Sequence, residues 1–130
     1  MKIQRFTGTI SFLPGKIFVH NQGKQPINTT TDRAILKDNE LIISINPVNN
    51  QAAGVLKLLT SDAIKFTGFF TYAGKEQPEA DTVLEYYENE KSAILLGEWT
   101  EDTQTYTCLI SLIKVSQFPE TSNSNMLKFI

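Results

Sequence analysis

Cysteine, histidine and tryptophan each occur once in this chain of 130 residues. With Cys108 alone, an intramolecular disulfide and a cysteine cluster for zinc are both excluded. With His20 as the single histidine, a metal site would need carboxylates, and a Ser-His-Asp or Cys-His arrangement has one available base. No apolar run approaches the ~20 residues of a membrane-spanning helix. The opening Met1-Lys2-Ile3-Gln4-Arg5-Phe6 lacks the apolar core of a signal peptide. The 12 basic and 14 acidic residues are spread along the chain for a net charge of −2, which leaves no basic stripe for nucleic acid. No catalytic or cofactor motif is recognisable. The expectation is a cytoplasmic protein with no metal, cofactor, nucleic-acid or membrane partner.

What is present is alternation. In Ile64-Lys65-Phe66-Thr67-Gly68-Phe69-Phe70-Thr71-Tyr72 the even positions are apolar apart from Gly68, and the odd ones are polar apart from Phe69. Period two of this kind is a half-buried strand. The polar stretch from Ala73 to Asp81 leads to a second strand, Thr82 to Glu88, and a third runs from Ser92 to Thr100.

If Asn89-Glu90 is a two-residue turn, Tyr86 faces Ala93, Leu84 faces Leu95 and Thr82 faces Gly97. If Asp102-Thr103 is the next turn, Trp99 faces Tyr106, Gly97 faces Cys108, Leu95 faces Ile110 and Ala93 faces Leu112. One face then carries Ile64, Phe66, Phe70, Tyr72, Leu84, Tyr86, Leu95, Trp99, Tyr106, Cys108, Ile110 and Leu112, and is the predicted core. The other carries Lys65, Glu85, Glu98 and Thr107, but also Val83, Tyr87, Ile94, Leu96, Leu109, Ile113 and Val115. That is more apolar surface than a solvated face carries, which implies a cover.

Upstream, Ile3 to Phe12 reads as a strand, Pro14-Gly15 as a turn, and Lys16 to His20 as a short strand ended by Asn21-Gln22-Gly23-Lys24. Thr29-Thr30-Thr31 favours extended chain, and Arg33 to Leu36 has room for a single helical turn. Leu41 to Ile45 and Val55 to Thr60 are further strands, separated by the loop Asn46 to Gly54 and closed by Ser61-Asp62. Residues 1–130 are expected to be one domain, with 116–130 as a tail whose Met126, Leu127, Phe129 and Ile130 dock on the surface.

Short strands at this spacing specify an all-β protein, a single antiparallel meander barrel of about eight strands or else a β-sandwich. Gly8, Gly68 and Gly97, read as mid-strand and inward, favour the barrel, because closure needs bends where side chains would collide.

Leu95-Leu96-Gly97-Glu98-Trp99-Thr100, followed by Tyr106-Thr107-Cys108-Leu109-Ile110-Ser111-Leu112, resembles the late strands of calycin barrels, the avidin-like and lipocalin-like proteins. Phe66-Thr67-Gly68-Phe69-Phe70 is similar to another such strand. Lipocalins place their Gly-x-Trp in the first strand, and avidins surround biotin with several tryptophans; this chain departs from both patterns. The resemblance therefore implies a small-ligand barrel rather than a biotin site.

Phe70, Tyr72, Tyr86, Trp99, Tyr106 and Cys108 are the candidate ligand-binding residues. Small residues facing each other, Gly97 and Cys108, leave room that the aromatic pair Trp99 and Tyr106 would wall; the alternative is large-beside-small packing that fills a tapering interior. Cys108 otherwise reads as a small buried hydrophobe and His20 as a surface residue. Glu85 and Glu98 read as surface carboxylates.

On the outside, Val83, Tyr87, Ile94, Leu96, Leu109 and Ile113 are the candidate interface, covered by the tail or by a second subunit in a homodimer. Three functions stay open: a non-enzymatic barrel holding an apolar or amphipathic small molecule, a solid-cored assembly module working through its outer face, and a cofactor-free barrel enzyme of cyclase or isomerase type.

Overall fold

The computed structural model describes residues 8–20, 27–47 and 53–115. Among these residues there are eight strands and no helix: β1 (Thr9–His20), β2 (Ile27–Lys37), β3 (Glu40–Ile45), β4 (Gly54–Thr60), β5 (Lys65–Tyr72), β6 (Ala80–Glu88), β7 (Ser92–Glu101) and β8 (Gln104–Lys114). Each pairs antiparallel with the next, and β8 returns to β1, so the meander closes into a barrel rather than a sandwich.

Closure leaves no sheet edge for another chain to template on. The expected residues 3–7 of the first strand, the turn Asn21-Gln22-Gly23-Lys24, most of the Asn46 to Gly54 loop and the tail 116–130 lie outside the described residues.

Alternation sets the core. β6 shows buried Ala80, Thr82, Leu84 and Tyr86 alternating with exposed Asp81, Val83, Glu85 and Tyr87. The same rule turns Phe66 and Phe70 of β5, Leu56 and Leu58 of β4, Leu41 and Ile43 of β3, and Cys108, Ile110 and Leu112 of β8 into one continuous core.

β1 corrects the expectation for Pro14-Gly15, which is not a turn but a bulge inside one long strand. Its register against β8 slips between Leu13 and Lys16. The inward set therefore changes parity, from Phe12 before the bulge to Ile17 and Val19 after it. β2 slips against β3 between Thr31 and Arg33, while β1 and β2 keep one register with each other. The two strands thus bend together as a corner. Pro14 has no N–H to leave unpaired there, and the Gly15 N–H donates to the buried Thr31 hydroxyl at 2.8 Å. Because β2 is a strand throughout, the helical turn expected at Arg33 to Leu36 is not formed.

Two hairpins close on two-residue loops with both residues at positive φ: Asp38 (55°) with Asn39 (65°), and Asp102 (54°) with Thr103 (63°). That is the turn geometry whose twist matches the flanking strands. The β7–β8 register is the expected one, with Trp99 opposite Tyr106 and Gly97 opposite Cys108.

Between β6 and β7 the expected register is two residues out. Tyr86 faces Leu95, Leu84 faces Gly97 and Thr82 faces Trp99. The Asn89 carboxamide oxygen accepts from the N–H groups of Lys91 (2.8 Å) and Ser92 (2.9 Å), and the Asn89 N–H donates to the Ser92 carbonyl. A side-chain-closed loop replaces the two-residue turn. Since the slip is two, every residue keeps its face.

Ile64 is also corrected: it is outside and 46% exposed, and Ala63, at φ 66°, is turned into the core instead. The Asp62 carboxylate accepts from the Ile64 and Lys65 N–H groups at 2.9 Å each, and these bonds hold its pKa below the ordinary value. Gly8 lies just ahead of β1, exposed and with open space around it. Gly68 and Gly97 are the closure glycines. A Cβ on Gly68 would lie 1.8 Å from the Lys57 carbonyl oxygen, and one on Gly97 would lie 2.0 Å from that of Val83.

Candidate functional site

One end of the barrel gathers the C-terminal ends of β5 and β7 and the N-terminal ends of β6 and β8. Tyr72, Trp99 and Tyr106 sit there because each is the inward aromatic residue nearest that end of its strand. The Phe70 ring lies edge-on to Tyr72 at 4.8 Å between centroids and tilted against Trp99 at 4.9 Å. Trp99 is directly across from Tyr106 on β8 and from Thr82 on β6.

Glu101, two residues beyond Trp99 and on the same face, ties the rim together. Its carboxylate accepts from the Trp99 indole N–H at 3.0 Å and from the Tyr72 hydroxyl at 3.3 Å. Burial, and then the charge of Glu101, push the Tyr72 hydroxyl up to about 12; Glu79 and Asp102 add to the effect.

Beneath this rim is a polar atom with nothing to bind. The Thr82 side chain is 2% exposed, on the inner face between Ala80 and Leu84, and its hydroxyl has no hydrogen-bond partner. Its cross-strand neighbours are Trp99 on one side and Gly68, which offers no side chain, on the other. A buried hydroxyl left in this condition costs about 1–3 kcal/mol.

Of the six residues expected to bind a ligand, Phe70, Tyr72, Trp99 and Tyr106 therefore share one end. Tyr86 is at the other end of β6, with its ring 5.2 Å from Phe66 and its hydroxyl donating to Glu88 at 2.7 Å. Glu88 there also takes Lys114 at 3.2 Å. Cys108 is fully buried one layer below Tyr106, between Gly97 and Val19, and burial pushes its thiol up to about 12.

Thr82 and Glu101 were not singled out as functional by their sequence. Their signal was parity alone: Thr82 shares a face with Leu84 and Tyr86, and Glu101 with Trp99.

Outside, Val83, Tyr87, Ile94, Leu96 and Ile113 are exposed and Leu109 is half-buried. Register joins them to the closing strand: Leu96 faces Leu109, which faces Phe18, while Tyr87 faces Ile94 and Ile113 faces Leu13. Phe18 and Leu13, both exposed, extend the patch beyond its expected members. Two grooves of about 490 Å³ each also lie on the outer surface, one over Ile35, Ile42 and Leu59 and one over Leu59, Phe69 and Val83.

Among the described residues no group of three His, Cys, Asp or Glu side chains is placed to hold a metal ion. No protein-family model matches this chain, and no curated protein matches it.

Proposed function

We propose that the protein is a calycin-like, non-enzymatic barrel that binds a small amphipathic molecule at its Trp99 end. The observation that carries this reading is the Thr82 hydroxyl, buried on the inner wall without a partner and directly across from Trp99. A ligand bearing one polar atom would satisfy it while its apolar part packs on Phe70 and Trp99. Small-ligand sites have this composition, mostly apolar wall with a few placed polar groups.

The test is native mass spectrometry of protein purified without denaturation, read beside emission from Trp99, the single tryptophan. The expected result is retained mass whose removal shifts the Trp99 spectrum. A bare chain whose emission answers to no member of an apolar ligand panel would sink the proposal.

The outer patch favours a second reading, in which two copies pair face to face through Leu96, Leu109 and Phe18. Glu85 and Glu98 flank this stripe on the β6–β7 side, and Lys16 and His20 on the β1 side. A two-fold axis running along the strands would set the acidic flank of one copy on the basic flank of the other. Light scattering gives the assembly mass: a dimer broken by Leu96→Glu supports the pairing, and a monomer at high concentration removes it.

A further inference from the structure

We infer that the Trp99 end takes an organic cation, an amine or quaternary ammonium group on an apolar body, with the charged head at the Glu101 rim and the body reaching toward Thr82. The inference rests on the small-molecule reading and specifies its ligand class. Glu101 accepts two hydrogen bonds, both from neutral donors, the Trp99 indole and the Tyr72 hydroxyl, and neither neutralises its charge.

Two more carboxylates act on the same point. Glu79, whose N–H bonds the Phe70 carbonyl at 2.8 Å, and Asp102 in the β7–β8 turn both raise the Tyr72 hydroxyl pKa along with Glu101. Among the described residues no basic side chain is ion-paired with any of the three. Among the described residues, Lys75 and His20 are the basic side chains near this end, and both are exposed.

Negative charge beside aromatic rings suits an ammonium group, which gains from both the carboxylate field and the ring faces, here Tyr72 and the half-buried Tyr106. The second and independent observation is the unpartnered Thr82 hydroxyl, buried below the same rim. It calls for a ligand that continues inward past the head group rather than a simple counter-ion.

The test uses the full chain and three probes of equal chain length: octyltrimethylammonium, octanol and octyl sulfate, each titrated below its micelle concentration against Trp99 emission. The expected order puts the cation at least about tenfold tighter than either other probe. About 0.5 M salt should narrow the gap. Glu101→Gln keeps one acceptor, for the Trp99 indole, and its amide N–H can donate to the Tyr72 hydroxyl oxygen; it should remove most of the cation's advantage and shift octanol binding far less. If that variant melts early, Glu79→Gln combined with Asp102→Asn carries the same expectation at smaller size.

Equal binding of cation and alcohol, or tighter binding of the sulfate, overturns the cation assignment and leaves the small-molecule reading standing. No response to any probe overturns both.

Discussion

Gly97→Ala tests the barrel's closure at a single atom. The new Cβ would lie 2.0 Å from the Val83 carbonyl oxygen and 2.8 Å from the Leu84 Cα, both backbone atoms that no rotamer change can move. A carbon and a carbonyl oxygen ordinarily sit about 3.3 Å apart at closest, so β6 and β7 must separate by more than an ångström. Separation on that scale breaks the ladder around the Leu84–Gly97 pair.

Two lost ladder bonds at about 1 kcal/mol each, with overpacking of about 1–3 kcal/mol, give roughly 3–5 kcal/mol of destabilisation. For a chain of this size that lowers the melting temperature by about 10–20 °C, read by circular dichroism. Gly8→Ala, with open space around its Cα, is the control and should be nearly silent. If Gly97→Ala melts within about 3 °C of wild type, the strands do not approach as described and the closure argument is wrong.

Four further outcomes follow from the same geometry. Thr103 is a β-branched residue at φ 63° in the β7–β8 turn, so Thr103→Gly should stabilise by about 0.5–1 kcal/mol in urea titration; a loss of stability would contradict the turn assignment. Thr82→Val replaces the unpartnered hydroxyl with a methyl of the same shape and should stabilise the ligand-free protein by about 1–2 kcal/mol, whereas a destabilisation of that size would reveal a hydrogen bond at Thr82.

Cys108 and Tyr72 both have their folded pKa raised to about 12, from ordinary values of 9.0 and 10.0. The unfolded chain therefore loses these protons first. Their contribution is fully present below pH 9 and is lost as pH rises toward 12, so the urea midpoint should fall across that window. Burial keeps the native Cys108 thiol protonated at pH 8, and disulfide reagents should label it only as the chain unfolds. Rapid native labelling would place the thiol elsewhere.

Face assignment was readable because strand parity is robust: only a one-residue slip exchanges inside for outside. The β7–β8 pairing was readable too, since Asp102-Thr103 forms the two-residue loop that its flanks suggest. Partners were less readable than faces. The Asn89 side chain closes a longer loop than the dipeptide Asn89-Glu90 implies, and that moved Thr82 from Gly97 to Trp99.

Bulges were hidden for a related reason. Pro14-Gly15 uses the same residues as a turn, and what makes it a bulge is β8 running alongside, a partner almost a hundred residues away in sequence. The outer patch was half visible: β6 to β8 could be aligned with one another, but Phe18 and Leu13 join them only through the closing pair. The aromatic set of the site came from parity. The separation of Tyr86 from Trp99, Tyr72 and Tyr106 did not, because parity fixes a face but not a height along the barrel.

A high-resolution crystal structure of protein purified without denaturation would show what touches the Thr82 hydroxyl. The expected result is density for a non-protein molecule against Phe70 and Trp99, with a polar atom within hydrogen-bond distance of Thr82 Oγ1. A closely packed interior at that point, with the hydroxyl bonded to a backbone carbonyl, would contradict it.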